Sequence, residues 1–78
     1  MPRYYFDTVD GEAYIDQDGE LLSGTTSARE IAIRIISEMT PGKAPHIWSG
    51  DPFIVVLRDE DGKIIGTLTV TATREVET

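Results

Sequence analysis

The sequence predicts an α+β fold, ordered β-β-α-β-β, with one helix on one face of a four-stranded antiparallel sheet in the spatial order 2-1-3-4. Three observations carry this prediction. Asp-Gly occurs at Asp10-Gly11, Asp18-Gly19 and Asp61-Gly62, each beside strand-like sequence, and these are the residues that tolerate the positive φ of tight hairpin turns. Apolar residues alternate with others on both sides of Asp61-Gly62, the period of a half-buried strand. Between the two hairpin regions, "TTSAREIAIRIISEMT" at residues 25–40 repeats apolar residues at helical spacing.

The first hairpin folds about Asp10-Gly11. A two-residue turn there places Tyr4, Phe6, Thr8, Ala13 and Ile15 on one face, toward the core, and Tyr5, Asp7, Val9 and Tyr14 on the other. Asp18-Gly19 marks a bend or bulge before Glu20, Leu21 and Leu22 re-enter the fold. Next comes the helix, with Ser27 as N-cap, Glu30 completing a capping box and Pro41-Gly42 ending it. Ala28, Ile31, Ala32, Ile35 and Met39 form its sheet-facing stripe, while Ile33 and Ile36 fall toward the flank and Ile33 is exposed. Residues 40–52, "TPGKAPHIWSGDP", hold three of the chain's four prolines and read as a loop.

The second hairpin turns about Asp61-Gly62, so Val56 faces Thr67, Val55 faces Leu68 and Phe53 faces Val70. Phe53, Val55, Leu57, Gly66, Leu68 and Val70 then share the core face. Ile54, Val56, Arg58, Ile65, Thr67 and Thr69 share the other. A right-handed crossover from strand two through the helix to strand three, skipping strand one, gives the order 2-1-3-4.

At 78 residues the chain is expected to be one domain spanning residues 1–78, because two would each be too short to bury a core. A single core of this size contributes only about 3–5 kcal/mol of net stability. With no cysteine, neither disulfides nor thiolate metal sites can add to it, which raises the expectation of self-association. The formal charge of −7 repels phosphate backbones and anionic lipid, so no nucleic-acid or membrane partner is expected. The start "MPRYYFDTVD" lacks the basic and apolar regions of a signal peptide, and no apolar run reaches the ~18 residues of a membrane span. The expected location is the cytoplasm.

The acidic run "DEDG" at residues 59–62 raises the question of calcium. Placing Gly62 at the sixth position of an EF-hand loop puts Leu57 at the first and Leu68 at the twelfth, where oxygen ligands are required, and placing Gly19 there puts Tyr14 and Thr25 at those positions. Hairpin-tip solvation is the better account. His46, the only histidine, would have to serve any serine-based triad, yet no nucleophile elbow accompanies it, and with Asp51 it offers two metal ligands at most. Trp48 is read as closing one end of the core. Tyr5 and Tyr14 on the helix-free face could stack bases, but Asp7 and Asp16 beside them oppose phosphate, so cross-strand packing or a protein contact remain. No catalytic, cofactor-binding or metal site is expected.

The stretches "MPRYYFD" at residues 1–7, "DGE" at 10–12, "DQDGELL" at 16–22, "SAREIA" at 27–32 and "LRDEDGKII" at 57–65 carry a resemblance. The chain resembles a family of small alphaproteobacterial proteins of unknown function that open with MPRYYFD or a near variant. The resemblance implies no activity, cofactor or catalytic residue. The segment "TPGKAPHIWSG" departs from the more charged one that similar proteins carry there, so no role for His46 or Trp48 follows from it. In element order alone the chain is similar to antitoxins that pair a small sheet and helix with a toxin.

The expectation for function is a small cytoplasmic protein-interaction module, homodimeric and non-catalytic, whose interface is the helix-free face with Tyr5, Tyr14, Ile54, Val56 and Ile65. Two alternatives stay open: a small-ligand-binding or enzymatic domain using residues 40–52, and an antitoxin-like regulator.

Overall fold

A computed structural model describes residues 1–75; the last part of the expected domain, residues 76–78, lies outside the described residues. The elements are β1 (Arg3–Val9), β2 (Ala13–Tyr14), β3 (Glu20–Leu21), α1 (Thr25–Met39), a 3-10 turn (Thr40–Lys43), a one-turn helix α2 (Ala44–Trp48), β4 (Phe53–Arg58) and β5 (Ile64–Val70). The class is α+β, with an open antiparallel sheet and the long helix α1. The expected order of four strands is corrected to five: β2-β1-β4-β5, with β3 also paired to β1.

The extra strand arises because the expected second strand is broken. β2 pairs with Thr8 and Val9, and β3 with Arg3 and Tyr4. Between them the chain leaves the ladder, and the Asp16 carboxylate accepts the Phe6 N–H at 3.1 Å, the donor that a continuous strand would have paired. The same carboxylate accepts the N–H groups of Asp18 and Gly19, each at 3.1 Å, which fixes the bend. Gly19 turns it at φ +67, and a Cβ there would lie 2.8 Å from both the Tyr4 carbonyl oxygen and the Tyr5 ring. Only glycine fits this turn.

Both hairpin turns differ by one residue from the two-residue expectation. Val9 pairs with Ala13 and Thr8 with Tyr14, so the first loop takes Asp10, Gly11 and Glu12. In the second, the Gly62 N–H donates to the Asp59 carbonyl at 3.0 Å and the Asp59 N–H to the Lys63 carbonyl at 2.9 Å. Gly62 has φ +82, whereas no non-glycine residue described has a positive φ. This is a three-residue loop with a left-handed glycine. The pairs Phe53↔Val70, Val55↔Leu68 and Val56↔Thr67 stand as expected, and the added residue is absorbed as a bulge between Leu57 and Arg58, which pairs with Ile64.

The core lies between α1 and the sheet. Phe53, Val55 and Leu57 from β4 are buried together with Tyr4, and Ala28, Ala32 and Ile36 from α1 meet them. The two alanines bring the helix backbone close to the sheet. Ile36, expected on the flank, is buried, and Met39, expected in the stripe, is exposed. The cause is α2: its Ile47 folds back into the cluster that holds Ile36 and Phe53, covering a helix face that a loop would have left open. Trp48 is therefore not the core's end cap. It is 55% exposed while Ile47 is buried. The helix also starts earlier than expected, with Gly24 as N-cap and its carbonyl accepting the Ala28 N–H at 3.2 Å. Ser27 instead meets the Ser23 hydroxyl at 2.9 Å, and the capping box does not form. At its other end the Thr40 hydroxyl donates to the Ile36 carbonyl.

Candidate interaction surface

The helix-free face holds three cross-strand rows, read from the pairing of β1, β4 and β5: Tyr5 beside Arg58, Asp7 beside Val56 and Thr67, and Val9 beside Ile54 and Thr69. Of the five residues expected to form an interface there, Tyr5, Ile54 and Val56 lie on this face and are half-buried. Tyr14 does not. Its pairing with Thr8 turns it to the other side of the sheet, where its hydroxyl donates to Glu12 Oε2 at 3.0 Å. Ile65 also leaves the face: the bulge re-aims it onto the cluster of Tyr4, Ala28 and Leu57.

A charged network that the sequence reading missed sits on the same face. Arg58 grips Asp7 with two bonds, Nε to Oδ2 at 2.6 Å and Nη2 to Oδ1 at 2.9 Å. The Asp16 N–H donates to Asp7 Oδ1 at 2.9 Å, and the guanidinium lies 4.9 Å above the Tyr5 ring centroid. Asp7 is only 5% exposed. The Arg58 hydrogen bonds hold its carboxyl below the usual range against the opposing effect of burial, aided by the Asp16 N–H. For Asp16, burial pushes the carboxyl up, but the N–H groups of Gly19, Phe6 and Asp18 together outweigh it and the net shift is down. These are satisfied structural charges, and they make this face less apolar than expected. A strand aspartate diagonally across from a strand arginine was the available signal, but reading it needs the β1–β4 register.

The acidic hairpin tip has local duties. Asp59 Oδ1 accepts the N–H groups of Asp61 and Lys63, each at 2.9 Å, and Glu60 Oε2 accepts the Arg3 N–H at 3.1 Å. At the other end of the sheet Lys43 pairs with Asp10 at 2.6 Å. His46 is exposed on α2.

The two sheet edges are unlike. The β2/β3 edge consists of two-residue strands separated by a segment that leaves the ladder, a form that blocks further pairing. β5 is the other edge and, among the described residues, pairs only with β4. Its seven residues, Ile64–Val70, include no charge and no proline, two of the usual devices against strand addition, and its one irregularity, the bulge at Ile65, leaves Gly66–Val70 in regular pairing. Beside it runs a groove of about 300 Å³. Ala32 and Ile33 of α1 form one wall, Val55 and Leu57 the floor, and Gly66 and Leu68 the β5 side, with Arg29 at the rim. The groove exists because α1 lies over β4 and Gly66 has no side chain: no atom comes within 4 Å of where its Cβ would stand. Ile33 at 53% and Ile64 at 59% exposure flank the same edge.

The fold and this surface define an acidic α+β module with one blocked sheet edge and one open one. Residues 3–71 match the family described as a domain of unknown function (DUF6894), and the chain belongs to that family. No curated protein and no solved structure matches it. Among the described residues, no helix is long and apolar enough to cross a membrane.

Proposed function

We propose that the chain is a small cytoplasmic protein-interaction module, non-catalytic, whose contact surface is the outer edge of β5 with the groove beside it. One observation carries the reading: among the described residues, the outer edge of β5, seven residues without a charge, is unpaired, while the opposite edge is broken up and its Phe6 N–H is capped by Asp16. An added strand finds main-chain donors and acceptors along β5, and the groove takes its apolar side chains, which is how strand addition combines affinity with specificity. The charge of −7 favours a protein over nucleic acid or anionic lipid as the partner.

The test is capture from cytoplasmic extract with three tagged forms: wild type, the edge variant Thr67→Lys/Thr69→Lys, and the face variant Ile54→Lys/Val56→Lys. Proteins held by wild type and the face variant but lost from the edge variant support the reading, copies of the chain itself included. Loss from the face variant, with or without loss from the edge variant, moves the contact to the helix-free face, where Thr67 and Thr69 stand beside Val56 and Ile54. A basic partner retained through the edge would favour the antitoxin-like alternative within the same surface.

A further inference from the structure

We infer that the strand completing the sheet at β5 is β5 of a second copy, paired antiparallel about Leu68. This rests on the reading of β5 as the contact edge and names its occupant. Three features of the edge fit a second copy. The first is charge. Each copy carries −7, and β5 is a stretch without any charged residue, so two copies can meet along it without opposing carboxylates.

The second is shape. Antiparallel strands keep facing residues on one side of the sheet, so a two-fold axis must pass through a residue rather than between two. With the axis at Leu68, the second copy's Val70 stands beside Gly66, where the groove is empty. Thr67 then faces the second copy's Thr69, and both are exposed, a pairing of hydroxyl residues that is favourable across strands. An axis one residue earlier would place Leu68 rather than Val70 beside Gly66.

The third is closure. A strand that pairs with itself about a two-fold axis uses up the free edge of both copies, and the β2/β3 edges at the two ends are blocked. Assembly therefore stops at a dimer with one continuous sheet. Exposed Ile33, which lines the groove with Gly66, loses solvent when the second copy's Val70 stands there.

Because the chain has no cysteine, single-cysteine variants report the register cleanly. Thr67→Cys and Thr69→Cys, mixed and mildly oxidised, should cross-link efficiently, since directly opposed Cβ atoms come near disulfide distance, while each alone should cross-link only weakly. Sedimentation at ~100 μM, where a contact of about −5.5 kcal/mol or better populates a dimer, should show a dimer for wild type and for Ile54→Lys/Val56→Lys, and loss of the dimer for Thr69→Lys. Strong cross-linking of Thr67→Cys alone overturns the register about Leu68. A monomeric wild type overturns self-pairing, and the capture experiment with the edge variant then decides separately whether β5 serves another protein. A dimer lost in Ile54→Lys/Val56→Lys, whatever Thr69→Lys does, overturns both, because Thr69 stands beside Ile54 on the helix-free face.

Discussion

Asp7 shows how a single buried charge constrains a small domain. Its carboxylate is held by Arg58 and by the Asp16 N–H, so removing one partner strands the other. Breaking a buried ion pair from one side costs about 3–5 kcal/mol, comparable to the roughly 3–5 kcal/mol expected of the whole core. Arg58→Met should therefore unfold the protein or lower its melting temperature severely. Asp7→Asn/Arg58→Met removes the stranded charge and keeps an oxygen for the Asp16 N–H, so it should be more stable than Arg58→Met alone; the reverse order in thermal melts would refute the account. The pH dependence has a fixed sign. Folding depresses the Asp7 pKa, so its contribution is complete above the unfolded value of about 3.9 and is lost as pH falls through the lower, folded value. Acidification toward pH 3 should thus destabilise wild type more than the double variant. Two glycines make a second contrast. Gly19→Ala meets a positive φ and contacts of 2.8 Å and should cost more than about 1 kcal/mol. Gly66→Ala has open space and no positive φ, and it should stabilise the chain by about 0.4–1 kcal/mol.

At the scale of elements, the β4–β5 hairpin offers a direct test of which side chains face the core. Val55 is 1% exposed and Thr67 is exposed, on opposite faces of adjacent strands. Val55→Asp should abolish folding, because an unpaired buried carboxylate costs several kcal/mol, whereas Thr67→Asp should leave the circular dichroism spectrum close to wild type and alter the melt only through association. This register was legible in the sequence because hairpin pairing is local: the turn residues and the period-2 alternation sit in one short stretch. The bulge was not, since Asp-Gly fits a two-residue and a three-residue loop equally well, and the choice moved Ile65 off the expected face. The same ambiguity at Asp10-Gly11 moved Tyr14. The broken second strand depends on Asp16 finding the Phe6 N–H, and the Asp7–Arg58 pair on strands 51 residues apart; local patterning reports neither. The helix α2 did leave a signal, Pro45 in its first turn, a position where proline is favoured. The density of prolines and glycines around it read as loop instead, and assigned to Trp48 the place that Ile47 fills.

Over the whole molecule, one thin core and two different edges set the terms of association. If the second copy contributes to stability, unfolding is coupled to dissociation, and the melting temperature must rise with protein concentration by mass action. Charge sets a further condition. Two copies of −7 repel over a Debye length of ~30 Å at 0.01 M salt but only ~8 Å at 0.15 M, so added salt should tighten a neutral seam where it would weaken one built on ion pairs. Salt also relieves repulsion within each copy, so its effect on the melt alone is not diagnostic. The slope of melting temperature against concentration separates the two contributions, because only association depends on concentration. Scans from ~1 to ~100 μM, the range over which a micromolar dimer assembles, should give wild type a positive slope that shifts to lower concentrations at 0.15 M salt. Thr69→Lys, whose substitution lies on the exposed side of β5, should give a flat line at both salts. A flat wild-type line would rule out a stabilising dimer, and a positive slope retained in Thr69→Lys would place the seam away from β5.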